Sequence, residues 1–370
     1  MTQQETSPRF PAVGDGSRLD GSGTITPEEL QLAFRNRGMP LEALRYPLTP
    51  TGMHYLLIHF DVPEVDAATW ALRVGGLVSK ELTLDMDAIR ARPATTLAVT
   101  MECAGNGRAL LTPRPLSQPW LLEAVGTAEW TGTPLRGVLA EAGIADAAVE
   151  VLFTGLDRGV QGDEVQSYQR SLSVAEATRP EVLLAYEMNG APLEPQHGYP
   201  LRLLVPGWYG MTSVKWLGSI ELVAEPFNGY QMAGAYTYRQ TRDEPGMPVD
   251  LIRVRALMVP PGIPDFMTRM RLVQAGPVTL TGRAWAGRAS VRRVEVSPDG
   301  GATWADAALE PELSPHAWRG WSFAWDAAPG RHTLSVRATD DGGNVQPIDQ
   351  WWTVGGLGNN MAQRVDVLVE

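Results

Sequence analysis

The chain has 370 residues, of which 44% are hydrophobic and 20% are charged, and its 31 basic and 42 acidic side chains give a net charge of −11. This length indicates two domains, and the composition is that of an ordinary soluble globular protein. The acidic balance argues against nucleic acid as a partner, and no apolar run approaches the roughly 20 residues that cross a bilayer.

Residues 1–24 are rich in glycine, proline and serine. Such a composition favours a flexible arm over a packed element. The first residues are polar and contain neither an apolar signal core nor a pair of arginines. We therefore expect a cytoplasmic location by default, or a periplasmic one if a leader has been removed.

Residues 25–245 mix helix and strand signals. A hydroxyl residue followed by proline begins each of two predicted helices, 26–38 and 133–143, and a short third helix is predicted over 83–91. Because helices and strands do not alternate regularly, we predict an α+β catalytic domain over this range. Apolar, β-branched runs predict strands over 53–60, 70–76, 95–100, 149–154, 182–188, 201–205 and 214–223.

The five histidines lie in unrelated sequence contexts. His54 and His59 are five residues apart on the strand predicted over 53–60. An odd interval places them on opposite faces, which makes them a poor metal pair. A single cysteine cannot hold an iron–sulfur cluster or attach a c-type haem, so we expect a chain without haem.

Beyond residue 245 the helix signals end. Prolines between 245 and 264 mark a linker, and strands with alternating apolar residues are predicted over 278–284, 291–296, 321–325 and 332–339. Short strands joined by Asp-Gly-Gly turns are typical of an immunoglobulin-like sandwich. We therefore predict an all-β domain over 246–370.

Cys103, the only cysteine of the chain, follows the strand predicted over 95–100 and precedes a Gly-Asn-Gly sequence. That sequence permits a sharp turn, whose backbone amides, together with Arg108, favour a thiolate. A thiolate can ligate a metal or attack a carbon atom. On spacing alone, Cys103 can equally be a small buried hydrophobic residue.

Three motifs, taken together and in this order, resemble those of the sulfite oxidase family of molybdenum enzymes. They are Cys-Ala-Gly-Asn-x-Arg at 103–108, LLAYEMNG at 183–190 running on to HGYPLR at 197–202, and VPGWYGMTSVKW at 205–216. The resemblance implies a molybdopterin-binding domain of the sulfite oxidase fold over 25–245. It also implies that the second domain is a dimerisation domain and that the protein is a homodimer.

In that family, molybdenum is held by a pterin dithiolene, two oxygen ligands and one protein thiolate, which by resemblance is Cys103. The resemblance therefore implies one molybdenum per chain, and a soft thiolate suits a metal that cycles between oxidation states. The cofactor ends in an anionic phosphate, which cations and backbone donors hold. The positions that match the family's cofactor contacts are His59, Cys103, Asp157, His197, Arg202, Ser213, Val214 and Lys215.

The resemblance also implies a site for a small oxyanion such as sulfite, held by charge-assisted hydrogen bonds. Arg108 matches an arginine of that site, Trp120 its tryptophan and Tyr236 its tyrosine. Arg319 loosely matches an arginine that the second domain contributes. We therefore predict oxygen-atom transfer to sulfite, with the electrons passed to an external acceptor, for which a cytochrome is a candidate.

Two departures from the family pattern leave the substrate open. Leu57 and Leu116 stand where the family carries cations. Losing two charge-assisted contacts weakens the binding of a dianion by several kcal/mol. The alternative is the same cofactor acting on a different, less charged sulfur or oxo compound, or acting as a reductase.

Two further classes of function are compatible with the residues. A thiol enzyme would use Cys103 as the nucleophile and His197 as the base, without a metal. A noncatalytic binding module would need only the sandwich half of the chain.

Overall fold

The computed structural model describes residues 25–370, so the arm predicted over 1–24 lies outside the described residues. The described chain is mostly β structure with few helices, and none of its helices combines the length and apolar character needed to cross a membrane. Thr26 and Glu29 form a reciprocal capping box, in which each side chain accepts a hydrogen bond from the other's backbone N–H. The α-helices are α1 (Pro27–Arg35), α2 (Met86–Arg90), α3 (Leu135–Ala142) and α4 (Val174–Ala177).

The strands of the described chain form five sheets. In chain order they are β1 (Leu72–Gly76), β2 (Leu82–Leu84), β3 (Thr95–Glu102), β4 (Val125–Pro134), β5 (Glu150–Gln161), β6 (Glu164–Ser173), β7 (Leu183–Met188), β8 (Ala191–Pro192), β9 (Arg202–Leu204), β10 (Leu217–Val223), β11 (Thr237–Tyr238), β12 (Met247–Pro248), β13 (Arg255–Met258), β14 (Ile263–Pro264), β15 (Arg271–Val273), β16 (Gly276–Trp285), β17 (Val291–Ser297), β18 (Ala305–Asp306), β19 (Ala308–Leu309), β20 (Arg319–Ala327), β21 (Gly330–Asp340) and β22 (Gln363–Val369).

The first half of the chain contains two five-stranded sheets. One has the order β2-β1-β10-β5-β6, in which β1 and β10 are parallel. The other has the order β3-β4-β7-β8, and β9 also pairs with β7. The β3–β4 register ends with Glu102 opposite Val125, so Cys103 lies directly beyond a sheet strand, as its sequence context predicts.

The second half of the chain contains a four-stranded and a six-stranded sheet. Their orders are β13-β16-β20-β19 and β14-β15-β22-β21-β17-β18, and β11 pairs only with β12 in a short ribbon before them. Buried side chains of both large sheets, such as Trp321 and Val336, belong to one hydrophobic cluster. The two sheets therefore enclose a core of their own, which is the layered arrangement of a sandwich.

The largest hydrophobic cluster joins the two halves of the chain. It includes Phe153 and Leu217 of the first half and Trp285, Trp318 and Leu357 of the second. The Trp285 and Trp318 rings are fully or almost fully buried and lie 6.3 Å apart. Because large aromatic rings bury much apolar area, this shared core fixes the first half against the second.

Several predicted elements differ from the observed ones. The strand predicted over 53–60 is absent, because Thr51–Met53 forms a single 3-10 turn and the residues after it make only one bridge, between Leu56 and Arg37. The helix predicted over 83–91 is shortened to α2, because Leu82–Leu84 pairs with β1. Strands β4 and β6 were not predicted, and the α+β prediction overstates the helical content of the first half.

Candidate active site

A cavity of about 650 Å³, partly open to solvent, lies among loops that follow several strands of the first half. Arg202, Lys215 and three histidines face it together with a single carboxylate, although the chain as a whole is acidic. A cavity of this size and charge suits an anionic ligand. Its polar or ionisable lining side chains are His54, Tyr55, His59, Cys103, Asp157, Tyr168, Gln196, His197, Arg202, Ser213, Lys215 and Tyr236.

Cys103 begins the turn after β3, and its side chain is buried at the cavity wall. Its backbone N–H donates to the Ala124 carbonyl at 2.9 Å. Gly107 completes the turn with a φ of 89°, in the left-handed region that glycine adopts without strain. Burial raises the pKa of the Cys103 thiol, whereas the positive charge of Arg108 and the indole N–H of Trp120 act to lower it.

The second half of the chain holds this turn in place. Glu102, the last residue of β3, forms an ion pair of 3.0 Å with Arg255, and both side chains are only 1% exposed. Glu102 also accepts a hydrogen bond of 2.8 Å from the Trp285 indole. Arg108 Nε donates to the Gly355 carbonyl at 2.9 Å. The position of Cys103 therefore depends on contacts with residues more than a hundred positions away in sequence.

Arg202 is a buried cation at the start of β9. Its Nη1 donates to the His197 carbonyl and its Nη2 to the Ser213 carbonyl, each at 3.0 Å. Its guanidinium carbon lies 4.9 Å from the centre of the Trp130 ring. Burial lowers the pKa of Arg202 to about 10, so the group is still charged at neutral pH. In the described chain it forms no ion pair with a carboxylate.

Lys215 is the second cation of the cavity. Its Nζ donates to the Leu57 carbonyl at 2.7 Å and to the Gln196 carbonyl at 3.0 Å. Burial, followed by the nearby charge of Arg202, lowers the pKa of Lys215 to about 7, while Asp157 acts to raise it. The ammonium group therefore lacks a directly bonded carboxylate among residues 25–370 and gains from an added negative charge.

His54 and His197 are buried with ring centres 5.8 Å apart. His54 Nδ1 lies 3.0 Å from the Tyr55 carbonyl, which only accepts, so in the neutral ring the proton is on Nδ1. The Nε2 atom of each ring has no partner among the described residues. Burial lowers the pKa of His54 to about 4 and that of His197 to about 2, so both rings are neutral near pH 7.

His59 and Asp157 lie on another part of the cavity wall. His59 Nε2 is 2.7 Å from Gln161 Oε1. Asp157 lies at an irregularity of the β5–β6 pairing between Thr154 and Arg158, which turns its side chain inward, and it is only 3% exposed. Burial raises the pKa of Asp157 to about 6, although the charge of Lys215 opposes the rise. Asp157 is thus an acceptor placed to receive hydrogen bonds from a bound molecule.

Tyr236 and Trp120 lie close to the cysteine. Tyr236 lines the cavity, and burial raises its pKa to about 12, with Cys103 raising it further and Arg108 lowering it. The Trp120 indole N–H is buried without a nitrogen or oxygen partner in the described chain. Arg108 Nη1 donates to the Gln118 carbonyl at 3.1 Å. A cation and a protonated phenol therefore lie beside the thiol.

Known proteins resemble both halves of the chain. The family model described as "Oxidoreductase molybdopterin binding domain" matches residues 59–231, and the one described as "Mo-co oxidoreductase dimerisation domain" matches residues 254–370. The mitochondrial sulfite oxidase of Homo sapiens is 35% identical over 348 residues, which cover 87% of this chain and 62% of that protein. The chain belongs to the sulfite oxidase family of molybdenum oxidoreductases.

Other relatives show how varied this family is. The nitrate reductase [NAD(P)H] of Hordeum vulgare is 32% identical over 355 residues, covering 87% of this chain and 39% of that protein. The sulfane dehydrogenase SoxCD from Paracoccus pantotrophus superposes with a TM-score of 0.77 at 24% identity, covering 99% of this chain and 97% of that one, which shows a common fold. The chain spans 62% of the length of the sulfite oxidases that it matches.

The cavity of this sulfite oxidase family member fits a molybdopterin cofactor on its own geometry. Buried polar atoms without partners, such as Nε2 of His54 and of His197, need a polar ligand, and Arg202 and Lys215 can take an anionic one. No group of three or more His, Cys, Asp or Glu side chains in residues 25–370 is arranged to hold a metal. A metal bound at Cys103 would therefore have no set of three such chain ligands among the described residues.

The structure brings most of the predicted residues of this family member to one cavity. Arg108 and Trp120 lie behind the wall, where their charge and indole N–H act on the thiol of Cys103. Their roles, like those of the lining residues, stay predictions. The predicted residues that line the cavity are His59, Cys103, Asp157, His197, Arg202, Ser213, Lys215 and Tyr236.

Besides Arg108 and Trp120, two predicted site residues, Val214 and Arg319, do not line the cavity. Val214 is buried in the hydrophobic core, and its backbone N–H and carbonyl are both used within the fold. Arg319 lies on β20, where its guanidinium donates to the Val291 carbonyl and lies 3.7 Å from the Glu312 carboxylate. Leu116 does not line the cavity, whereas the other departure, Leu57, does.

His54, Tyr55, Tyr168 and Gln196 line the cavity but were not predicted as site residues. The prediction that His54 and His59 point to opposite faces of a strand was wrong, because both line the same cavity, whereas their being a poor metal pair stays a prediction. The chain between them is not a strand, so the two-residue alternation does not apply. The presence of two histidines in a short aromatic segment was the available signal.

Proposed function

We propose that this chain is an oxidoreductase that uses a molybdenum–molybdopterin cofactor to transfer an oxygen atom to sulfite, giving sulfate, and passes the electrons to an external acceptor. The observation that carries the proposal is the cavity, in which a buried thiol faces two cations without carboxylate partners and imidazole nitrogens without partners, all within the described chain. The similarity to sulfite oxidases supports sulfite as the substrate.

In this proposal, the bound cofactor supplies a two-electron redox centre that exchanges an oxygen atom, and Cys103 ligates its metal. Arg202 and Lys215 hold the anionic phosphate, because each lines the cavity and lacks an ion-paired carboxylate among the described residues. Asp157 accepts hydrogen bonds from the pterin. The remaining proposed cofactor contacts are His59, His197 and Ser213.

The chain's own residues bind and orient the oxyanion. Arg108 is held by the carbonyls of Gly355 and Gln118, so its charge stays beside Cys103 instead of moving with solvent. Tyr236 has a pKa raised to about 12, so its phenol keeps its proton at neutral pH and donates a hydrogen bond to a negatively charged oxygen. Together, Arg108 and Tyr236 attract the sulfite dianion and hold it in one orientation.

The second candidate function is the same cofactor acting on a different, less charged sulfur or oxo compound, or acting as a reductase.

 The observation that favours it is Leu57, which lines the cavity at a position where the family carries a cation, so the wall offers an apolar side chain there. Fewer charge-assisted bonds lower the affinity for a dianion more than for a neutral or singly charged compound. The similarity to nitrate reductases supports a substrate other than sulfite.

A metal-free thiol enzyme is less well supported. Burial raises the pKa of the Cys103 thiol, so without a ligand the reactive thiolate is disfavoured. Burial lowers the pKa of His197 to about 2, which makes it a weak base. A thiol–imidazole pair needs a thiol with a lowered pKa and an imidazole whose pKa lies near neutrality, and burial shifts both pKa values away from these conditions. Coordination to a metal would instead stabilise the thiolate directly.

We also propose the domain organisation and partners. Residues 25–245 form the molybdopterin-binding domain, and residues 246–370 form an immunoglobulin-like domain through which two chains pair as a homodimer, as the description of the matching family supports. The electron acceptor is external to the described chain, and the net charge of −11 favours a basic protein such as a cytochrome. Turnover with such a cytochrome should fall as ionic strength rises, and a rate independent of salt contradicts this choice.

The test of the proposed function is elemental analysis of the purified chain for molybdenum, paired with a sulfite-plus-ferricyanide assay on the same sample. Near one molybdenum per chain with fast sulfite oxidation supports the proposal. Molybdenum without sulfite turnover favours the second candidate. Protein without molybdenum, made in a host that synthesises the cofactor, contradicts both.

Leu57→Arg separates the two candidate substrates. If the missing cation limits sulfite binding, this variant lowers KM for sulfite, because it restores a charge-assisted contact at the cavity wall. Leu116→Arg is the matched control, since Leu116 does not line the cavity. Strong sulfite turnover by the unmodified chain and no gain in the variant contradict the argument from missing charge.

A further inference from the structure

Arg170 is a buried cation that the proposed mechanism does not use. It lies on β6 and is 1% exposed. Its Nη1 donates to the Gln231 carbonyl, while its Nε and Nη2 have no partner among the described residues. No carboxylate of residues 25–370 forms an ion pair with it. An unpaired buried charge is unfavourable for folding, so its presence calls for a functional reason.

The neighbours of Arg170 belong to the cavity. Its guanidinium carbon lies 5.6 Å from the centre of the Tyr236 ring, which is within the range of a cation–π contact. Tyr236 lines the cavity, and so does Tyr168, two residues before Arg170 on the same strand. The positive charge of Arg170 acts to lower the pKa of both phenols against the effect of burial.

Arg170 also holds the backbone that carries Tyr236. The residue that accepts its hydrogen bond, Gln231, lies in the π-helical turn Tyr230–Gly234, shortly before Tyr236. The Gln231 side chain donates to Gln161 Oε1 at 2.9 Å, the same oxygen that lies 2.7 Å from His59 Nε2. Through Gln231, the Arg170 guanidinium is thus linked to both Tyr236 and His59, which line the cavity.

We propose that Arg170 is a positioning cation of the oxyanion site, which fixes Tyr236 and strengthens its phenol as a hydrogen-bond donor to a bound oxyanion. A positive charge beside the ring draws electron density from the phenol oxygen, so the O–H group donates more strongly to an anion. Arg170 in this way offsets the charge that is missing at Leu57. This inference rests on the proposed function in one respect, namely that the cavity binds an oxyanion.

The test measures the binding of sulfate to the cofactor-loaded full chain by isothermal titration calorimetry. Arg170→Gln keeps an N–H donor without the charge, Arg170→Met removes both, and Arg170→Lys keeps the charge. We expect about tenfold weaker sulfate binding for the Gln and Met variants and about threefold or less for the Lys variant. Arg331→Met, which removes an exposed cation on β21, is the control for a general loss of positive charge and should bind sulfate unchanged.

A double-mutant cycle with Tyr236→Phe distinguishes this role from a merely structural one. If Arg170 acts through the phenol, Arg170→Gln has little further effect on sulfate binding in the Tyr236→Phe background. An undiminished effect there, or an Arg170→Lys variant as weak as Arg170→Gln, overturns the inference. If Arg170→Met does not fold, which its molybdenum content and circular dichroism report, the Gln and Lys variants decide.

The test of sulfite as the substrate is separate from the test of the role of Arg170. A chain that binds sulfate but does not oxidise sulfite contradicts sulfite as the substrate and leaves the Arg170 comparison valid. A chain that carries molybdenum but binds no sulfate overturns the inference about Arg170.

Discussion

The ion pair between Glu102 and Arg255 joins the end of β3 to the second half of the chain, next to Cys103. The two side chains are each 1% exposed and lie 3.0 Å apart. Replacing Arg255 by methionine leaves the Glu102 carboxylate buried, with the Trp285 indole at 2.8 Å and the Asn106 side-chain amide at 3.0 Å as its remaining donors. We expect this change to destabilise the fold and to loosen the cysteine turn.

The magnitude follows from the burial of the pair. Removing one partner of a buried ion pair destabilises a protein by about 3–5 kcal/mol, because the other charge is left uncompensated. The two neutral donors that stay with Glu102 favour the lower end, about 3 kcal/mol. The matched control is Arg364→Met, which breaks a pair with Asp349 whose side chains are 42% and 93% exposed, and such exposed pairs contribute at most about 1 kcal/mol.

Both variants are compared with the unmodified chain by denaturant unfolding of the molybdenum-loaded protein, followed by circular dichroism. The double variant Glu102→Gln with Arg255→Met should recover part of the stability, because it removes the buried negative charge as well. Molybdenum content, measured on the same samples, reports whether the cysteine turn still binds the cofactor. Equal midpoints for Arg255→Met and Arg364→Met, or a double variant no more stable than Arg255→Met, would refute the reasoning.

Three further predictions concern the cofactor and the fold. Cys103→Ser should lose molybdenum and sulfite turnover while keeping the circular dichroism of the unmodified chain, because serine offers a poorer ligand of similar size; unchanged turnover would contradict the assignment of the thiolate. In the cofactor-free chain, the pKa of Lys215 is lowered from 10.5 to about 7, so between these pH values the unfolded state binds more protons and the free energy of unfolding should rise with pH. Lys215→Met should remove this rise in urea titrations at pH 7 and pH 9, and an identical rise in the variant would exclude Lys215 as its source. Thr26→Ala removes the hydroxyl that caps α1 and should lower stability by about 1 kcal/mol in the same titrations, whereas no change would show that α1 contributes little to global unfolding.

Local sequence signals predicted elements whose backbone conformation is favoured by neighbouring residues. The capping hydroxyl and proline at 26–27 predicted the start of α1, and the β-branched run before Cys103 predicted β3. These signals act within a few residues, through capping, backbone preference and alternation. The segment 53–60 has a strand-like composition but no strand partner along its length, and pairing is decided by distant residues.

The resemblance of three motifs to those of the sulfite oxidase family predicted most of the cavity residues. The structure adds which contacts hold these residues in place. Arg319 was expected near the oxyanion, but the structure places its guanidinium against Val291 and Glu312 in the second half. Arg170 carried no motif, since a lone arginine in a polar strand resembles a solvated surface residue. Only its burial beside Tyr236 distinguishes it.

By itself, the sequence determined that the chain is an acidic protein of two unlike halves with one cysteine at the end of a strand, because composition, turn residues and short-range periodicity are properties of neighbouring residues. Only the tertiary structure decided that Glu102 meets Arg255 and that His54 and His59 share one cavity. These outcomes depend on contacts between residues far apart in sequence. Their free energy comes from burial and charge pairing that no local pattern contains.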